Sequence, residues 1–287
     1  MKKEVILVSK QGFCYGVKRS IQIALDTINS NSENKEIHLL GRLVHNQTIT
    51  DYLSDLNINI HKEKTRLEMV NSISSGIVIS TAHGIGKDVY KRINEKELEF
   101  IDATCPNVKY VYNLIKNKLN ENYNIFYICN KLHPEAEAVK SFSNKVYLLD
   151  NGDEIPRNIT DKILVVNQTT VNADVIKNIT NKILDIYPNV EILDTLCKET
   201  IYRQNELNDI LSKNNNVYVI IVGDKKSHNT NSLYEIAIKY TNNVIYILDD
   251  SDKELNKVIK SNLNTVFIAS GTSTPIEIVN KIINKIK

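Results

Sequence analysis

Three cysteines occupy the same kind of position along the chain. Cys14, Cys105 and Cys197 each follow a strand-like apolar run and precede a segment of helical spacing, and Cys105 lies almost midway between the other two. A thiol at the N-terminus of a helix has a lowered pKa and is readily a thiolate. Thiolates bind soft metals and iron–sulfur clusters. The spacing therefore predicts three similar structural units, each bringing one thiol to a common centre.

The odd number of these thiols restricts the kind of metal site. Three thiolates do not complete a tetrahedral zinc site, whereas a [4Fe–4S] cluster held by three cysteines would leave one iron open to a substrate oxygen. The alternative is that the three cysteines are small core residues, since cysteine outside disulfides is often buried. Cys129 ends the apolar run 125–129, and we predict that it belongs to the core.

Histidines and one acid lie in short loops after other apolar runs. His45, His83 and His133 could together donate to an anion or relay protons, although each alone could be a structural loop residue. Glu135 follows Pro134 at a predicted helix start, where a carboxylate also favours the helix dipole. The functional interpretation of Glu135 is that its carboxyl donates a proton at the end of a relay.

Two loops rich in hydroxyl and amide groups resemble anion sites. Residues 227–231 include Ser227, His228 and Asn229, and residues 271–275 include Ser273. Backbone N–H groups at such helix starts suit phosphate, although ordinary N-capping would explain either loop alone. The sequence contains neither a Walker glycine–lysine motif nor a G-x-G-x-x-G pattern. The pair of loops therefore predicts a small diphosphate rather than a nucleotide.

Strand-like and helical segments alternate along the whole chain. β-branched runs such as residues 217–222 lead through a polar loop into a segment of helical spacing, and this order recurs. It predicts an α/β protein with mainly parallel sheets covered by helices. Ligands bind such sheets beyond the carboxyl ends of the strands, where the cysteines, histidines and hydroxyl-rich loops fall.

The cysteine spacing, rather than any linker, predicts the domain boundaries. We expect one small α/β domain at residues 15–104 and a second at 105–194. The third would combine residues 195–287 with residues 1–14, because the cysteine-led units begin only after the first strand.

Composition and charge exclude several functional classes. The 287 residues are 42% hydrophobic and 24% charged, which is typical of a globular protein. A formal net charge of +2 gives no general attraction to nucleic acid or membranes. No run approaches the about 20 apolar residues of a membrane span, and the N-terminal run is too short for a signal peptide. We therefore expect a cytoplasmic protein with reduced thiols, without nucleic acid or membrane as a partner.

Nine short motifs resemble, in order, those of the 4-hydroxy-3-methylbut-2-enyl diphosphate reductases, the IspH/LytB family. They are GFCYGV at 12–17, VHN at 44–46, AHG at 82–84, DATCP at 102–106, HPE at 133–135, QTT at 168–170, DTLC at 194–197 with RQ at 203–204, SHNT at 227–230 and STP at 273–275. The resemblance covers essentially the whole chain. One tripeptide alone is weak, but nine in the same order are highly specific.

The resemblance implies a trefoil of three α/β domains around a central [4Fe–4S] cluster. The implied cluster ligands are Cys14, Cys105 and Cys197. The implied diphosphate contacts are His45, His83, His133, Ser227, Asn229 and Ser273. Thr169 and Glu135 would manage the substrate hydroxyl and its proton, with His133 beside them.

The resemblance also implies the reaction and its electron source. (E)-4-Hydroxy-3-methylbut-2-enyl diphosphate would lose its hydroxyl in a two-electron, two-proton reduction that gives isopentenyl and dimethylallyl diphosphates plus water. This is the last step of the methylerythritol phosphate route to isoprenoids. Reduced ferredoxin or flavodoxin would supply the electrons.

The chain departs from the family pattern at two places. His228 stands where many members have a second serine that contacts phosphate; an imidazole can also donate to phosphate. Cys129 and Asn130 replace a glycine-containing loop that often precedes the HPE motif. The backbone approach to that motif is therefore expected to differ.

Two other functional classes fit part of the pattern. A three-cysteine [4Fe–4S] hydro-lyase or a quinolinate-synthase-like enzyme would use the same open iron, but its carboxylate substrate usually calls for arginine clamps. An iron–sulfur redox sensor would need a DNA-reading helix with basic flanks, and none is evident in the sequence.

Overall fold

The computed structural model describes residues 3–8, 10–214 and 216–287. The strands are β1 (Glu4–Leu7), β2 (Ile37–Leu39), β3 (Ile58–Ile60), β4 (Ile77–Ile79), β5 (Glu99–Ile101), β6 (Asn124–Ile128), β7 (Val146–Leu149), β8 (Ile163–Asn167), β9 (Glu191–Ile192), β10 (Tyr218–Val222), β11 (Val244–Ile247) and β12 (Thr265–Ser270). The helices are α1 (Tyr15–Ser30), α2 (Gln47–Asp55), α3 (Arg66–Ser72), α4 (Lys87–Glu95), α5 (Pro106–Asn120), α6 (Pro134–Lys140), α7 (Ala173–Ile186), α8 (Lys198–Leu211), α9 (His228–Ala237), α10 (Leu255–Lys260) and α11 (Ile276–Ile286).

The strands form three four-stranded sheets, and the strand pairs are parallel. The sheet orders are β3-β2-β4-β5, β7-β6-β8-β9 and β1-β12-β10-β11. Parallel neighbours need a crossover, and helices supply the crossovers here. The predicted α/β class with parallel sheets is therefore confirmed.

The chain folds into two compact units. The terminal unit comprises the described residues up to Tyr15, His45–Gln47 and Cys197–Lys287. The middle unit comprises Gly16–Val44 and Thr48–Leu196. The first strand pairs with the last one, β1 with β12, and so lies in the terminal unit. The finer division into three domains at residues 104 and 194 stays a prediction.

Side chains alternate between the two faces of each central strand. In β6 of the middle unit, Ile125 and Tyr127 pack toward α5 and α6, whereas Phe126 and Ile128 pack toward α7. Both faces are therefore covered, which explains the unbroken apolar run in the sequence. In the terminal unit, β10 packs one face against α11 and the other against α8 and α9.

Among the residues described, no helix is both long and apolar enough to span a membrane.

Truncation of the β6 core should destabilise the protein strongly. Ile125 is 0% exposed, so Ile125→Ala should lower the free energy of unfolding by about 2–5 kcal/mol, because it leaves a cavity between the sheet and α5. Urea unfolding measures this loss. Leu132→Ala is the matched control: Leu132 is 96% exposed, and its truncation should change stability by less than about 0.5 kcal/mol. Equal losses in both variants would contradict the packing described for β6.

Candidate active site

The three predicted cluster cysteines lie where helices begin. Cys105 and Cys197 are the N-cap residues of α5 and α8, and Cys14 immediately precedes α1. Each of the three is half-buried, and none of the cysteines in the described chain forms a disulfide. Pro106 takes the first position of α5, where a backbone N–H is not needed. Each of the three thiols therefore lies at the positive end of a helix dipole.

A buried arginine ties together the elements that carry two of these cysteines. Within the terminal unit, Arg203 of α8 is 2% exposed and donates to the carbonyl oxygens of Ser270 (2.7 Å) and Gly12 (2.8 Å). The backbone N–H of Cys14 donates to the carbonyl oxygen of Thr272 at 3.1 Å. The loop before α1, the end of β12 and the helix led by a cysteine are thus held in one network.

The same guanidinium lies within electrostatic reach of two thiols. Burial lowers the pKa of Arg203, and the negative charges available at Cys14, Glu199 and Cys197 oppose that shift. A permanent positive charge therefore lies near both thiols. Arg203 belongs to the predicted RQ motif, but the sequence alone did not indicate these contacts.

The third cysteine is positioned inside the middle unit. The N–H of Cys105 donates to the carbonyl oxygen of Ala82 at 2.9 Å. Arg19 of α1 donates to the carbonyl oxygen of Thr104 at 3.1 Å, and Ser20 donates to that of Ala103 at 2.7 Å. The first turns of α1 therefore hold the loop that presents Cys105.

The two hydroxyl-rich loops of the terminal unit meet. Ser227 is the N-cap of α9, where its hydroxyl accepts from the N–H of Thr230 at 3.4 Å. The Asn229 side-chain oxygen accepts from the N–H of Thr272 at 3.1 Å, so the 227–231 loop contacts the 271–275 loop. Ser273 donates to the carbonyl oxygen of His45 at 2.9 Å. Four of the predicted diphosphate residues therefore share one unit.

His228 is the first residue of α9 and is half-buried. Its place directly after the Ser227 cap puts it in the first turn of α9 together with Asn229. Its contact with the diphosphate stays a prediction, as do the roles of the other residues in that group.

Two predicted histidines meet inside the middle unit. The rings of His83 and His133 lie edge to face, with centroids 5.0 Å apart. His133 is the N-cap of α6, and its Nδ1 accepts from the N–H of Glu135 at 3.2 Å. In the neutral ring this bond directs the proton to Nε2, which can then donate. Tyr112 donates to the carbonyl oxygen of His83 at 2.6 Å and so holds the loop of that histidine in place.

Glu135 is a buried carboxyl with several donors. It is 1% exposed, and its two oxygens accept from the Thr169 hydroxyl (2.9 Å) and the Thr169 N–H (3.2 Å). Tyr127 also donates to it, at 3.4 Å. Burial raises the pKa of Glu135 to about 7, although the bonds from Thr169 and Tyr127 lower it. A carboxyl that titrates near neutral pH is suited to deliver a proton.

Two residues near this carboxyl were missed in the sequence. Tyr127 is hidden in an apolar strand, so its contact with Glu135 gave no local signal. Arg66 resembles an ordinary first-turn residue of α3. It is buried, however, and donates to Glu137 of α6 at 3.0 Å and to the Thr81 hydroxyl at 3.1 Å. Arg66 thereby fixes the helix that begins with the HPE motif.

Comparison with known proteins identifies relatives over the full chain. The family model described as LytB protein matches residues 5–287. Proteins named 4-hydroxy-3-methylbut-2-enyl diphosphate reductase from Geobacillus sp. (strain WCH70) and Geobacillus thermodenitrificans (strain NG80-2) are 34% and 35% identical. Each match covers 98% of this chain and 89% of the relative.

Two solved structures share the fold. The E-1-hydroxy-2-methyl-but-2-enyl-4-diphosphate reductase from Plasmodium falciparum matches with a TM-score of 0.88 and 26% identity, covering 99% of this chain and 88% of that one. A structure described as (E)-4-hydroxy-3-methyl-but-2-enyl diphosphate reductase, the terminal enzyme of the non-mevalonate pathway, matches with a TM-score of 0.66 and 25% identity. That match covers 99% of both chains.

The raised pKa of Glu135 should make stability depend on pH. Between the ordinary value of 4.5 and about 7 the folded state binds more protons at this site than the unfolded state. The free energy of unfolding should therefore fall as pH rises through that window, by about 3 kcal/mol for this group. Glu135→Gln lacks the titration, so its stability relative to the parent should increase by most of that amount from about pH 5 to about pH 8.

Urea unfolding of the two proteins at both pH values measures this difference. Glu121→Gln, a change at an exposed acid, serves as the control and should follow the parent. If the free energies of unfolding of the parent and Glu135→Gln changed equally with pH, Glu135 would already be ionised in the folded protein at about pH 5, which would contradict the raised pKa.

Proposed function

The chain belongs to the LytB protein family, and we propose that it reduces (E)-4-hydroxy-3-methylbut-2-enyl diphosphate to isopentenyl and dimethylallyl diphosphates. This is the last step of the methylerythritol phosphate route, and the enzyme is an oxidoreductase. The family match argues against both the hydro-lyase and the redox-sensor alternatives. The observation that carries the proposal is the buried pair of Glu135 and Thr169. The carboxyl of Glu135, the proposed proton donor, is hydrogen-bonded to the Thr169 hydroxyl.

The donor set fits a [4Fe–4S] cluster with three protein ligands. Cys14, Cys105 and Cys197 would hold it, because each is a half-buried thiol at a helix start, where a thiolate is favoured. Cys129 is excluded from this role: it is 1% exposed inside the core, and burial raises the pKa of its thiol well above the ordinary value. When bound, the cluster would supply electrons and an open iron with Lewis-acid character.

We assign diphosphate binding to the loops that follow strands in both units. In the terminal unit, His45, Ser227, Asn229 and Ser273 offer imidazole, hydroxyl and amide donors, and α9 adds the N–H groups of its first turn. In the middle unit, His83 and His133 add two imidazoles. His228 follows the Ser227 cap and would donate as a histidine where many relatives have serine.

The proton path runs through Glu135 and Thr169. The Thr169 hydroxyl lies 2.9 Å from one carboxyl oxygen, so it can hand on a proton while it binds the substrate hydroxyl. His133 lies two residues before Glu135. Its Nδ1 accepts from the Glu135 N–H, so Nε2 of the neutral ring is the nitrogen that can donate. The allylic C–O bond breaks, the oxygen leaves as water, and a second proton adds to one of two carbons.

The electron source and the location complete the proposal. Two electrons per turnover require a low-potential donor, and reduced ferredoxin or flavodoxin fits that need. Three cysteines that hold a cluster must not form disulfides, which fits a location in the cytoplasm, where thiols are kept reduced.

An anaerobic assay tests this function. The purified protein should show an iron–sulfur spectrum and should consume the hydroxylated allylic diphosphate with reduced viologen as the electron source. Glu135→Gln should keep the spectrum but lower kcat about a hundredfold or more, because an amide cannot donate the proton in the same way.

Two results would contradict it. A cluster without turnover in the parent enzyme would favour the hydro-lyase or sensor alternatives. A parent-like kcat in Glu135→Gln would remove this carboxyl from the proton path.

A further inference from the structure

A groove in the middle unit lies beside the loop that presents Cys105. It encloses about 430 Å³ and is lined by residues of α4, β5 and α5, including Thr104, which directly precedes Cys105. Tyr90 and Phe100 supply apolar walls, and their rings meet edge to face at 5.7 Å. Neither aromatic residue contributes to the proposed substrate site. The groove therefore borders the proposed site, with which it shares Thr104 and Tyr112, and its aromatic walls lie next to a proposed cluster ligand.

The lining of the groove is positively charged. Its described residues include Lys87, Lys109 and Lys116 but only one carboxylate, Asp102, which pairs with Lys109 at 2.5 Å. Lys116 lies over the ring of Phe142, 4.7 Å from its centroid, a contact that leaves its charge in place. The excess of positive charge is carried mainly by Lys87 and Lys116.

The helix on one side of the groove does not offset this charge. α5 has lysines and no acidic residue along its whole length, PNVKYVYNLIKNKLN. Helices usually carry acids near their N-termini, where they neutralise the positive end of the dipole. α5 therefore places no acid against the lysines of the groove.

Two other grooves of the protein do not share this charge. A cavity of about 240 Å³ beside α7 in the middle unit has one lysine, Lys177, and one acid, Asp194. A cavity on α8 of the terminal unit has Lys198 against Glu206 and Asp209. The positive lining thus distinguishes the groove between α4 and α5 from both of these.

The placement of the charges indicates the kind of ligand. Lys87 begins α4 and Lys116 lies in α5, so the two lysines that carry the excess charge stand on different elements of the groove wall. Carboxylates spread over a protein surface can pair with both. Tyr90 is 50% exposed at the same place, and exposed tyrosines are enriched at protein interfaces.

We propose that this groove is the docking site for an acidic electron-carrier protein. The proposal rests on the proposed function, because a reductase of this kind must receive electrons near its cluster. A carrier seated in the groove would contact the loop of Cys105 directly. Two one-electron carriers, docking in turn, would each be oxidised once; the two electrons and two protons would break one C–O bond and release one water. Complementary charge would steer the encounter and make it sensitive to salt.

Charge reversal in the groove tests the proposal. The double variant Lys87→Glu/Lys116→Glu is compared with Lys177→Glu/Lys182→Glu, which makes the same change of charge on α7. Binding of an oxidised acidic flavodoxin to each cluster-loaded enzyme is titrated at low and at moderate salt. The groove variant should raise the Kd about tenfold and flatten its salt dependence, whereas the α7 variant should match the parent.

Turnover separates this proposal from the proposed function. With reduced flavodoxin, the groove variant should show a raised KM for the carrier, whereas with reduced viologen its kcat should equal that of the parent. An unchanged Kd in the groove variant, or an equal weakening in the α7 variant, would overturn the docking site. Failure of the parent to turn over with viologen would instead contradict the proposed function, and the binding titration would still decide the docking site.

Discussion

Parallel pairing of strands is the constraint on which both units depend. It brings the carboxyl ends of neighbouring strands to one edge of a sheet, so the loops after those strands must meet. In the middle unit β6 and β8 are neighbours, and Glu135 and Thr169 follow them and share a hydrogen bond. In the terminal unit β10 and β12 are neighbours, and the 227–231 and 271–275 loops that follow them are joined through Asn229.

Burial of the Glu135 carboxyl lowers the stability of the fold at neutral pH but suits the carboxyl to proton transfer. Three donors surround Glu135, which would hold an exposed carboxyl ionised, yet burial still raises its pKa to about 7. The folded chain therefore carries a group that costs free energy at neutral pH and can give up a proton there. The ion pair between buried Arg66 and half-buried Glu137, at 3.0 Å, holds the same helix.

Much of this arrangement could be predicted from the sequence, because the spacing of apolar residues along a short segment indicates whether that segment forms a strand or a helix. Alternating apolar runs and helical spacing predicted the parallel α/β sheets, and the apolar setting of Cys129 predicted its burial. Contacts between distant segments have no such local pattern. The clamp of Arg203 on Gly12 and Ser270, the donation from Tyr127 to Glu135 and the order β7-β6-β8-β9 all depend on tertiary packing.

The central claim is that three thiols at helix starts hold one [4Fe–4S] cluster. The most direct measurement is iron and sulfide content, with the Mössbauer spectrum, of anaerobically reconstituted single variants. Cys14→Ala, Cys105→Ala and Cys197→Ala should each lose most of the cluster, whereas Cys129→Ala, a change in the core, should retain the parent content. Full cluster content in any of the first three variants, or its loss only in Cys129→Ala, would contradict the account.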